Sequence, residues 1–166
     1  HPKWLPDRES GFPNDIALIQ LQDQADLFGF GVGTACLPSA DFDLSDADEC
    51  WMSGWGLTSM KGSFPSESLQ EVKTEVKTPQ ECLKHVGNDV SILSSHVCAG
   101  DSLSHTGPNA CKGDSGGPLS CKIGQHWYAV GIYSWSYHWD CRPSIFSGLA
   151  AYRDWISTTT TKFDMV

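Results

Sequence analysis

Basic side chains are scarce in this sequence. Lys and Arg number 11 against 20 Asp and Glu, so the formal net charge is −9. This surplus of acidic side chains argues against nucleic acid and anionic membranes as partners, because both are negatively charged themselves. No apolar run approaches the ~18–20 residues of a membrane span, and the segment that begins at His1 has none of the features of a signal peptide. We expect no nucleic-acid partner and no membrane partner.

Signals for metals and glycans are missing as well. No Cys-x-x-Cys pair occurs, no cysteines and histidines share the spacing of a zinc site, and no calcium site can be argued. No Asn-x-Ser/Thr sequence occurs, so N-glycosylation is not expected. We therefore expect neither a metal nor a cofactor.

What the sequence does contain is cysteine. The 166 residues include seven, at positions 36, 50, 82, 98, 111, 121 and 141. Wide and uneven spacing of this kind favours disulfides formed in an oxidising compartment. An odd number leaves one cysteine for a partner outside this chain. With 40% hydrophobic residues, the length suits one domain, or two small ones, with a packed core.

Short apolar segments between turn residues predict an all-β barrel or sandwich. A hairpin turn is predicted at Gly124-Gln125, and the capping-box sequence Thr-Pro-Gln-Glu over 78–81 predicts a helix that reaches about Val86. A second helix is expected over 150–157, followed by a frayed tail over 158–166. The predicted strands cover 15–21, 49–56, 69–77, 96–100, 118–123, 126–135 and 144–149.

Residues 111–119, Cys-Lys-Gly-Asp-Ser-Gly-Gly-Pro-Leu, predict a tight turn that exposes the Ser115 hydroxyl. Glycines permit backbone angles that a β-carbon forbids, and they let a substrate approach closely. The N–H groups of Gly113 and Ser115 would converge beside the hydroxyl, which is the arrangement of an oxyanion hole for acyl transfer. Taken alone, a glycine-rich serine turn is only a turn, so its meaning depends on the rest of the chain.

Three separated segments resemble the chymotrypsin/trypsin family of serine endopeptidases. Asn-Asp-Ile-Ala-Leu over 14–18 is similar to the family's triad-aspartate segment, Gly-Asp-Ser-Gly-Gly-Pro over 113–118 to its nucleophile motif, and Ser-Trp-Ser over 134–136 to a substrate-pocket segment. The resemblance implies a trypsin-like antiparallel β-barrel fold. The last part of a first barrel and the connection between barrels would lie over 1–40, and a complete second barrel with its closing C-terminal helix over 41–157.

The resemblance also implies a role for each residue around the serine. Ser115 would be the nucleophile, and Asp15 would orient the general-base histidine and stabilise its imidazolium. The N–H groups of Gly113 and Ser115 would form the oxyanion hole. Asp114 would pair with the α-amino group that cleavage of a zymogen creates.

By the same resemblance, Asn109 would form the floor of the substrate pocket. Because Asn109 is neutral, we expect no strong preference for a basic side chain, and instead a medium-sized uncharged or apolar one. Lys112 is expected at the pocket rim. Asp140 is expected to be an exposed loop carboxylate, although its position in sequence is close enough to the pocket to alter this preference.

The pocket walls would come from four further residues. Ser134, Trp135 and Ser136 would line the pocket, and Trp135 and Ser136 would pair with the substrate backbone as an added antiparallel strand. Ser136 and Ser144 occupy wall positions where relatives often have glycine. Their side chains would therefore narrow the slot.

The family pattern implies three disulfides and one unpaired cysteine. The pairs would be Cys50–Cys121, Cys82–Cys98 and Cys111–Cys141. In many relatives the cysteine that matches Cys36 binds a propeptide or light chain, so we expect a possible disulfide-linked N-terminal or light chain at this position.

The general base is the missing member. In this family the triad order along the chain is His, Asp, Ser, and His1 is the only histidine before Asp15. His1 precedes a proline in a predicted loop and lacks the family's Ala-Ala-His-Cys setting. The other histidines, expected to be surface or structural, are His85, His96, His105, His126 and His138. We therefore expect a C-terminal portion of a protease, inactive without the missing barrel, which a second chain or absent residues would supply.

The sequence thus predicts a secreted serine endopeptidase that hydrolyses peptide bonds through an acyl-enzyme, with peptide or protein substrates and protein inhibitors as partners. One alternative is a non-catalytic homologue that binds partners through the same fold, since a fold does not fix a function. The other is a disulfide-rich β-domain with a chance serine turn. Labelling by a fluorophosphonate, which modifies only an activated serine, separates the enzyme from the homologue.

Overall fold

The computed structural model describes residues 1–58, 64–100, 109–137 and 141–163. An irregular N-terminal arm precedes the first strand, with one 3-10 turn at Leu44–Asp46, and a second 3-10 turn at Leu149–Tyr152 precedes the last helix. The regular elements are β1 (Glu49–Gly54), β2 (Gln70–Thr74), β3 (Val76–Lys77), α1 (Pro79–Leu83), β4 (His96–Ala99), β5 (Pro118–Ile123), β6 (His126–Ser136), β7 (Ser144–Gly148) and α2 (Arg153–Phe163).

The described strands form one antiparallel sheet in the order β2-β1-β5-β6-β7-β4-β3. Its two edge strands, β2 and β3, are consecutive along the chain with only Glu75 between them. The Gly100 N–H donates to the Glu75 carbonyl at 3.1 Å and fixes this link to the end of β4. Because the link brings both edges together, the sheet closes almost completely into a barrel. The predicted all-β antiparallel barrel with a C-terminal helix is confirmed.

Alternation along the strands sends every second side chain into the barrel. In β1, Cys50 and Met52 are buried, and in β5, Leu119 and Cys121 are fully buried opposite them. Phe146 of β7 is fully buried in the same cluster. This rigid core supports the loops at one end of the barrel, where the candidate site lies.

Three disulfides connect the barrel to its loops. They join Cys50 to Cys121 across β1 and β5, Cys82 of α1 to Cys98 of β4, and Cys111 to Cys141. These are the three pairs that the resemblance implies. Cys36 is free and half-buried, and its backbone bridges to Tyr128 of β6.

The strand predicted over 15–21 does not form. Ile16 is buried against Leu149, Tyr152 and Ile156, but Ile19 is 85% exposed. A strand needs a neighbour for its backbone hydrogen bonds, and no described strand pairs with this segment. The apolar composition alone therefore gave a wrong prediction here.

Three other elements depart most from prediction, whereas β1, β4, β6 and β7 end within two residues of their predicted bounds. The strand predicted over 69–77 is interrupted at Glu75, and α1 ends at Leu83 rather than near Val86. Helix α2 continues to Phe163, so residues 158–163 are not a frayed tail. Within it, the Thr160 and Thr161 hydroxyls donate to the carbonyls of Ile156 and Ser157, each at 2.9 Å. Such bonds to the preceding turn let β-branched threonines remain helical.

The described residues contain neither a membrane-spanning helix nor a cluster of metal ligands. None of the described helices combines the length and the apolar character that crossing a bilayer would require. The described residues also contain no group of three or more His, Cys, Asp or Glu side chains arranged to hold a metal ion.

Candidate active site

Ser115 is exposed at the tip of the turn that leads into β5. Its neighbours Gly113 and Gly116 have φ angles of 96° and 84°, a region that side chains with a β-carbon rarely adopt. The turn is closed by the Gly117 N–H, which donates to the Asp114 carbonyl at 2.8 Å. A β-carbon on Gly117 would lie 2.8 Å from that carbonyl oxygen. The glycines are therefore required by the shape of the turn.

The amide groups around Ser115 alternate between bonded and free. The Asp114 N–H donates to the Cys111 carbonyl at 3.0 Å, and the Gly116 N–H donates to the Tyr133 carbonyl at 2.9 Å. Among the described residues, the N–H groups of Gly113 and Ser115 donate to no acceptor. Two N–H groups without an acceptor, in the same turn as an exposed hydroxyl, are available to a negatively charged oxygen.

Asp15 is held by two serines from the barrel. The Ser134 hydroxyl donates to its carboxylate at 2.6 Å, and the Ser147 hydroxyl donates to its main-chain carbonyl at 2.8 Å. The pairing of β6 with β7 shifts register between Tyr133 and Trp135, so Ser134 lies at an irregularity of the strand. The sequence suggested Ser134 as a pocket residue but gave no hint that it binds Asp15. The only sequence signal for Ser147 was its place as the second serine of the short strand predicted over 144–149.

Asp15 and Ser115 line one cleft of about 480 Å³. His1 also lines this cleft, but its ring packs 4.8 Å from the Trp155 ring and its Nδ1 accepts the Lys3 N–H at 3.1 Å. No hydrogen bond in the described part of the chain joins His1 to the carboxylate or to the hydroxyl. The cleft therefore brings together the predicted carboxylate and nucleophile, without an imidazole bonded to either.

Asp114 points away from the cleft, under the serine turn. Its carboxylate oxygens accept the Gly56 N–H at 2.8 Å and the Cys111 N–H at 2.9 Å. A β-carbon on Gly54 or Gly56 would lie 2.0 or 2.5 Å from the Asp114 side chain, so glycine is required at both positions. These residues border a small cavity of about 140 Å³. Among the described residues Asp114 pairs with no amine.

The predicted pocket floor, Asn109, is hydrogen-bonded at both ends of its amide. Its Nδ2 donates to the Cys141 carbonyl at 2.8 Å, and its Oδ1 accepts from the Ser144 hydroxyl at 3.0 Å. Gly100, with a φ of 119°, packs so closely that a β-carbon would lie 3.1 Å from the amide. Ser144 is fully buried. It therefore contacts the predicted floor directly, and its place in the pocket wall stays a prediction.

The remaining predicted pocket residues lie at the end of β6. Pairing of β6 with β5 ends at Ile132, whereas its pairing with β7 continues to Ser136. Within the part of the chain that the structure describes, one backbone edge of Trp135 and Ser136 is therefore without a strand partner. The Trp135 side chain is buried, with its ring 5.9 Å from Phe12 and 6.1 Å from His96. Lys112 is exposed, and Asp140 lies outside the described residues.

The histidines differ in their surroundings. His126 is exposed on the hairpin between β5 and β6, and His85 is half-buried next to α1. His96 is buried, and this burial lowers the pKa of its ring to about 4. The sequence gave no sign of that burial. His105 and His138 lie outside the described residues.

Comparisons with known proteins extend over almost the whole chain. The family model described as Trypsin matches residues 1–156. Coagulation factor XI of Bos taurus is 38% identical over 156 residues, which cover 92% of this chain and 24% of that protein. Tissue-type plasminogen activator of Rattus norvegicus is 37% identical over 155 residues, covering 87% of this chain and 27% of that protein. Transmembrane protease serine 11G of Rattus norvegicus is 36% identical over 152 residues, which cover 89% of this chain and 35% of that protein. The chain spans only 24% to 35% of these relatives.

Proposed function

This chain belongs to the trypsin family of serine proteases, and from that premise we propose that it carries the nucleophile and the orienting carboxylate of a serine endopeptidase. The observation that supports this most strongly is the shared cleft. Asp15, fixed by Ser134 at 2.6 Å, lines the same cleft as the exposed Ser115. The family acts on protein substrates, so the cleft would receive a peptide bond.

The proposed reaction has two stages. The Ser115 Oγ attacks the carbonyl carbon of the scissile bond while a histidine takes its proton. The carbonyl oxygen becomes negative and accepts hydrogen bonds from the N–H groups of Gly113 and Ser115. The histidine then returns the proton to the leaving amine, which departs from the acyl-enzyme. Water, deprotonated by the same histidine, attacks the ester and restores the Ser115 hydroxyl.

We propose that the histidine comes from outside these 166 residues. The ring of His1 is engaged with Trp155, and the chain spans only 24% to 35% of the relatives it matches. The segment over 1–40 would then complete a first barrel, which would cover exposed side chains such as Ile19 and Leu21. Cys36, which is free, would link to a propeptide or light chain. Three disulfides favour secretion into an oxidising compartment.

Activation would act through Asp114. Its carboxylate accepts two backbone N–H groups, and a new α-amino group would replace them and hold the serine turn in its active form. This makes the protein a zymogen before cleavage.

The neutral amide of Asn109 supports a preference for medium-sized uncharged or apolar side chains. Both ends of the amide are already bonded, to Cys141 and to Ser144. The predicted floor therefore offers an amide, and not a carboxylate, to a basic substrate side chain. Lys112 at the rim would favour acidic groups nearby.

The test is fluorophosphonate labelling of the full-length protein after proteolytic activation, followed by mass mapping of the modified residue. We expect labelling at Ser115 and none in Ser115→Ala, whereas Ser120→Ala, a serine of β5, keeps full labelling. If the activated protein carries its histidine-bearing portion and Ser115 still resists labelling, the chain acts as a non-catalytic binding homologue. Intact mass before and after reduction tests whether Cys36 is disulfide-linked to another chain, because a linked chain is released only on reduction.

A further inference from the structure

Asp15 follows a backbone turn that is held in an unfavourable conformation. Gly11, Phe12 and Asn14 have φ angles of 76°, 53° and 60°. Glycine adopts such angles freely, but a phenylalanine and an asparagine do so at a cost in energy that surrounding contacts must offset. Inside the arm, the Phe12 N–H donates to the Asp7 carbonyl at 2.8 Å. The position of Asp15 therefore depends on how firmly this turn is held against the barrel.

On the barrel side, the turn meets a buried histidine of β4. His96 is 6% exposed, and its Nδ1 accepts the Leu93 N–H at 3.1 Å. The neutral ring therefore carries its proton on Nε2, which is free to bond the Gly11 backbone. The approach is close, because a β-carbon on Gly11 would lie 3.1 Å from the His96 ring and 2.1 Å from the Ser91 carbonyl oxygen.

His96 also contacts the two elements that hold Asp15 from the other side. Its ring lies 6.1 Å from that of Trp135, the residue after Ser134 in β6. In the pairing of β4 with β7, His96 is directly opposite Ser147, which bonds the Asp15 carbonyl. His96 thus contacts the turn before Asp15 and β6 through its ring, and it pairs with β7 through its backbone.

We infer that His96 is a positioning residue, which clamps the strained turn 11–14 to the barrel and so holds Asp15 towards the cleft. Its catalytic consequence rests on the proposed function, but the clamp itself does not. The clamp requires the neutral ring, because a protonated Nδ1 has no lone pair for the Leu93 N–H.

The groups around the ring keep it neutral. Burial lowers the pKa of His96 to about 4, and hydrogen bonding to the Gly11 backbone opposes this only partly. No titratable side chain occurs over 91–95 or in β7. Of the charged and titratable groups of the arm and of the end of β6, Asp7 bonds Ser10, Arg8 and Tyr137 bond Asp89, and Asp15 bonds Ser134. Lys3 and Glu9 are exposed to solvent.

Two variants separate positioning from simple packing. His96→Leu fills the space but cannot accept the Leu93 N–H, whereas His96→Gln offers both an acceptor and a donor. His126→Gln, at an exposed histidine, is the matched control. The first measurement is amide hydrogen exchange at pH 7 by mass spectrometry, on the full-length protein, comparing peptides over 8–18 with peptides over 118–132.

In His96→Leu we expect exchange over 8–18 to rise about tenfold or more, with exchange over 118–132 unchanged, and in His96→Gln we expect exchange near wild type in both regions. The inference is overturned if His96→Leu leaves the exchange rate over 8–18 unchanged. It is also overturned if exchange rises equally over 8–18 and over 118–132.

The second measurement is the rate of fluorophosphonate labelling of Ser115 in the activated protein. We expect it to fall about tenfold in His96→Leu and to stay within about twofold in His96→Gln and His126→Gln. If the wild-type protein is not labelled, the proposed function fails. The hydrogen-exchange measurement still shows whether His96 holds the turn 11–14 against the barrel. If the arm loosens in His96→Leu while labelling is unchanged, His96 does not position Asp15 for catalysis.

Discussion

Burial of His96 makes a quantitative prediction about stability in mild acid. Its ring has an ordinary pKa of 6.5, which burial lowers to about 4 in the folded protein. Between pH 6.5 and pH 4, the His96 ring is therefore protonated in the unfolded chain but neutral in the folded chain. Stability is fully present above pH 6.5 and falls as the pH drops towards 4.

The size of the loss follows from these two pKa values. Each pKa unit corresponds to about 1.4 kcal/mol, so this one residue lowers the free energy of unfolding by about 2 kcal/mol at pH 5 and by about 3 kcal/mol at pH 4. Exposed carboxyl groups such as Asp89 and Glu81 also have lowered pKa values, because hydrogen bonds favour their charged forms. These carboxylates stabilise the folded protein while they are charged, and this stabilisation is lost only at lower pH, when they become protonated. The change in stability between pH 6.5 and 4.5 therefore reports on His96.

The assay is urea unfolding with disulfides intact, at half-unit steps from pH 7 to pH 4.5. Wild type and the control His126→Gln should lose stability with the same slope, whereas His96→Gln should be nearly flat above pH 5. Parallel curves for wild type and His96→Gln would refute the reasoning, because the proton uptake would then belong to another group.

Three further substitutions test the site. Ser134→Ala removes the 2.6 Å hydrogen bond to Asp15 and should slow labelling of the activated protein about tenfold, with the folded structure retained. Gly56→Ala places a β-carbon 2.5 Å from the Asp114 carboxylate and should lower the free energy of unfolding by about 1–3 kcal/mol, measured by urea. Asn109→Asp should shift cleavage of a peptide panel towards Lys and Arg, and should lower the melting temperature because an oxygen replaces the donor that faces a carbonyl.

The first two of these substitutions have matched controls. Ser120→Ala removes a hydroxyl from the neighbouring strand β5 and should leave the labelling rate within about twofold, so an equal fall in both variants would argue against the Asp15 bond. Gly33→Ala meets no atom within 4 Å and should leave stability unchanged, so equal losses would contradict the steric argument. If Asn109→Asp cuts the same peptides as wild type, Asn109 is not at the pocket floor.

Features encoded by neighbouring residues were predicted well. Short apolar segments between turn residues predicted the positions of β1, β5 and β6, and the Thr78 to Glu81 capping box forms at the start of α1. The serine turn was predicted because glycine spacing within nine residues specifies its shape. In each case the determining interactions lie within a few residues of one another.

Features that need distant partners were not predicted. The segment over 15–21 has a strand's composition but no described neighbour to pair with, so it stays irregular. The bond from Ser134 to Asp15 spans 119 positions, and the one from Ser147 spans 132. The burial of His96 depends on the arm folding back onto β4 and β6.

The sequence by itself determined the chemistry available to this protein: a serine on a glycine turn, an aspartate, six cysteines that pair and a barrel of short strands. Only the tertiary structure decided which polar groups meet. The tertiary structure joined Asp15 to two serines and placed the neutral imidazole of His96 against the turn that precedes Asp15. Hydrogen bonds across the barrel depend on how distant segments pack, and the local sequence pattern does not specify this packing.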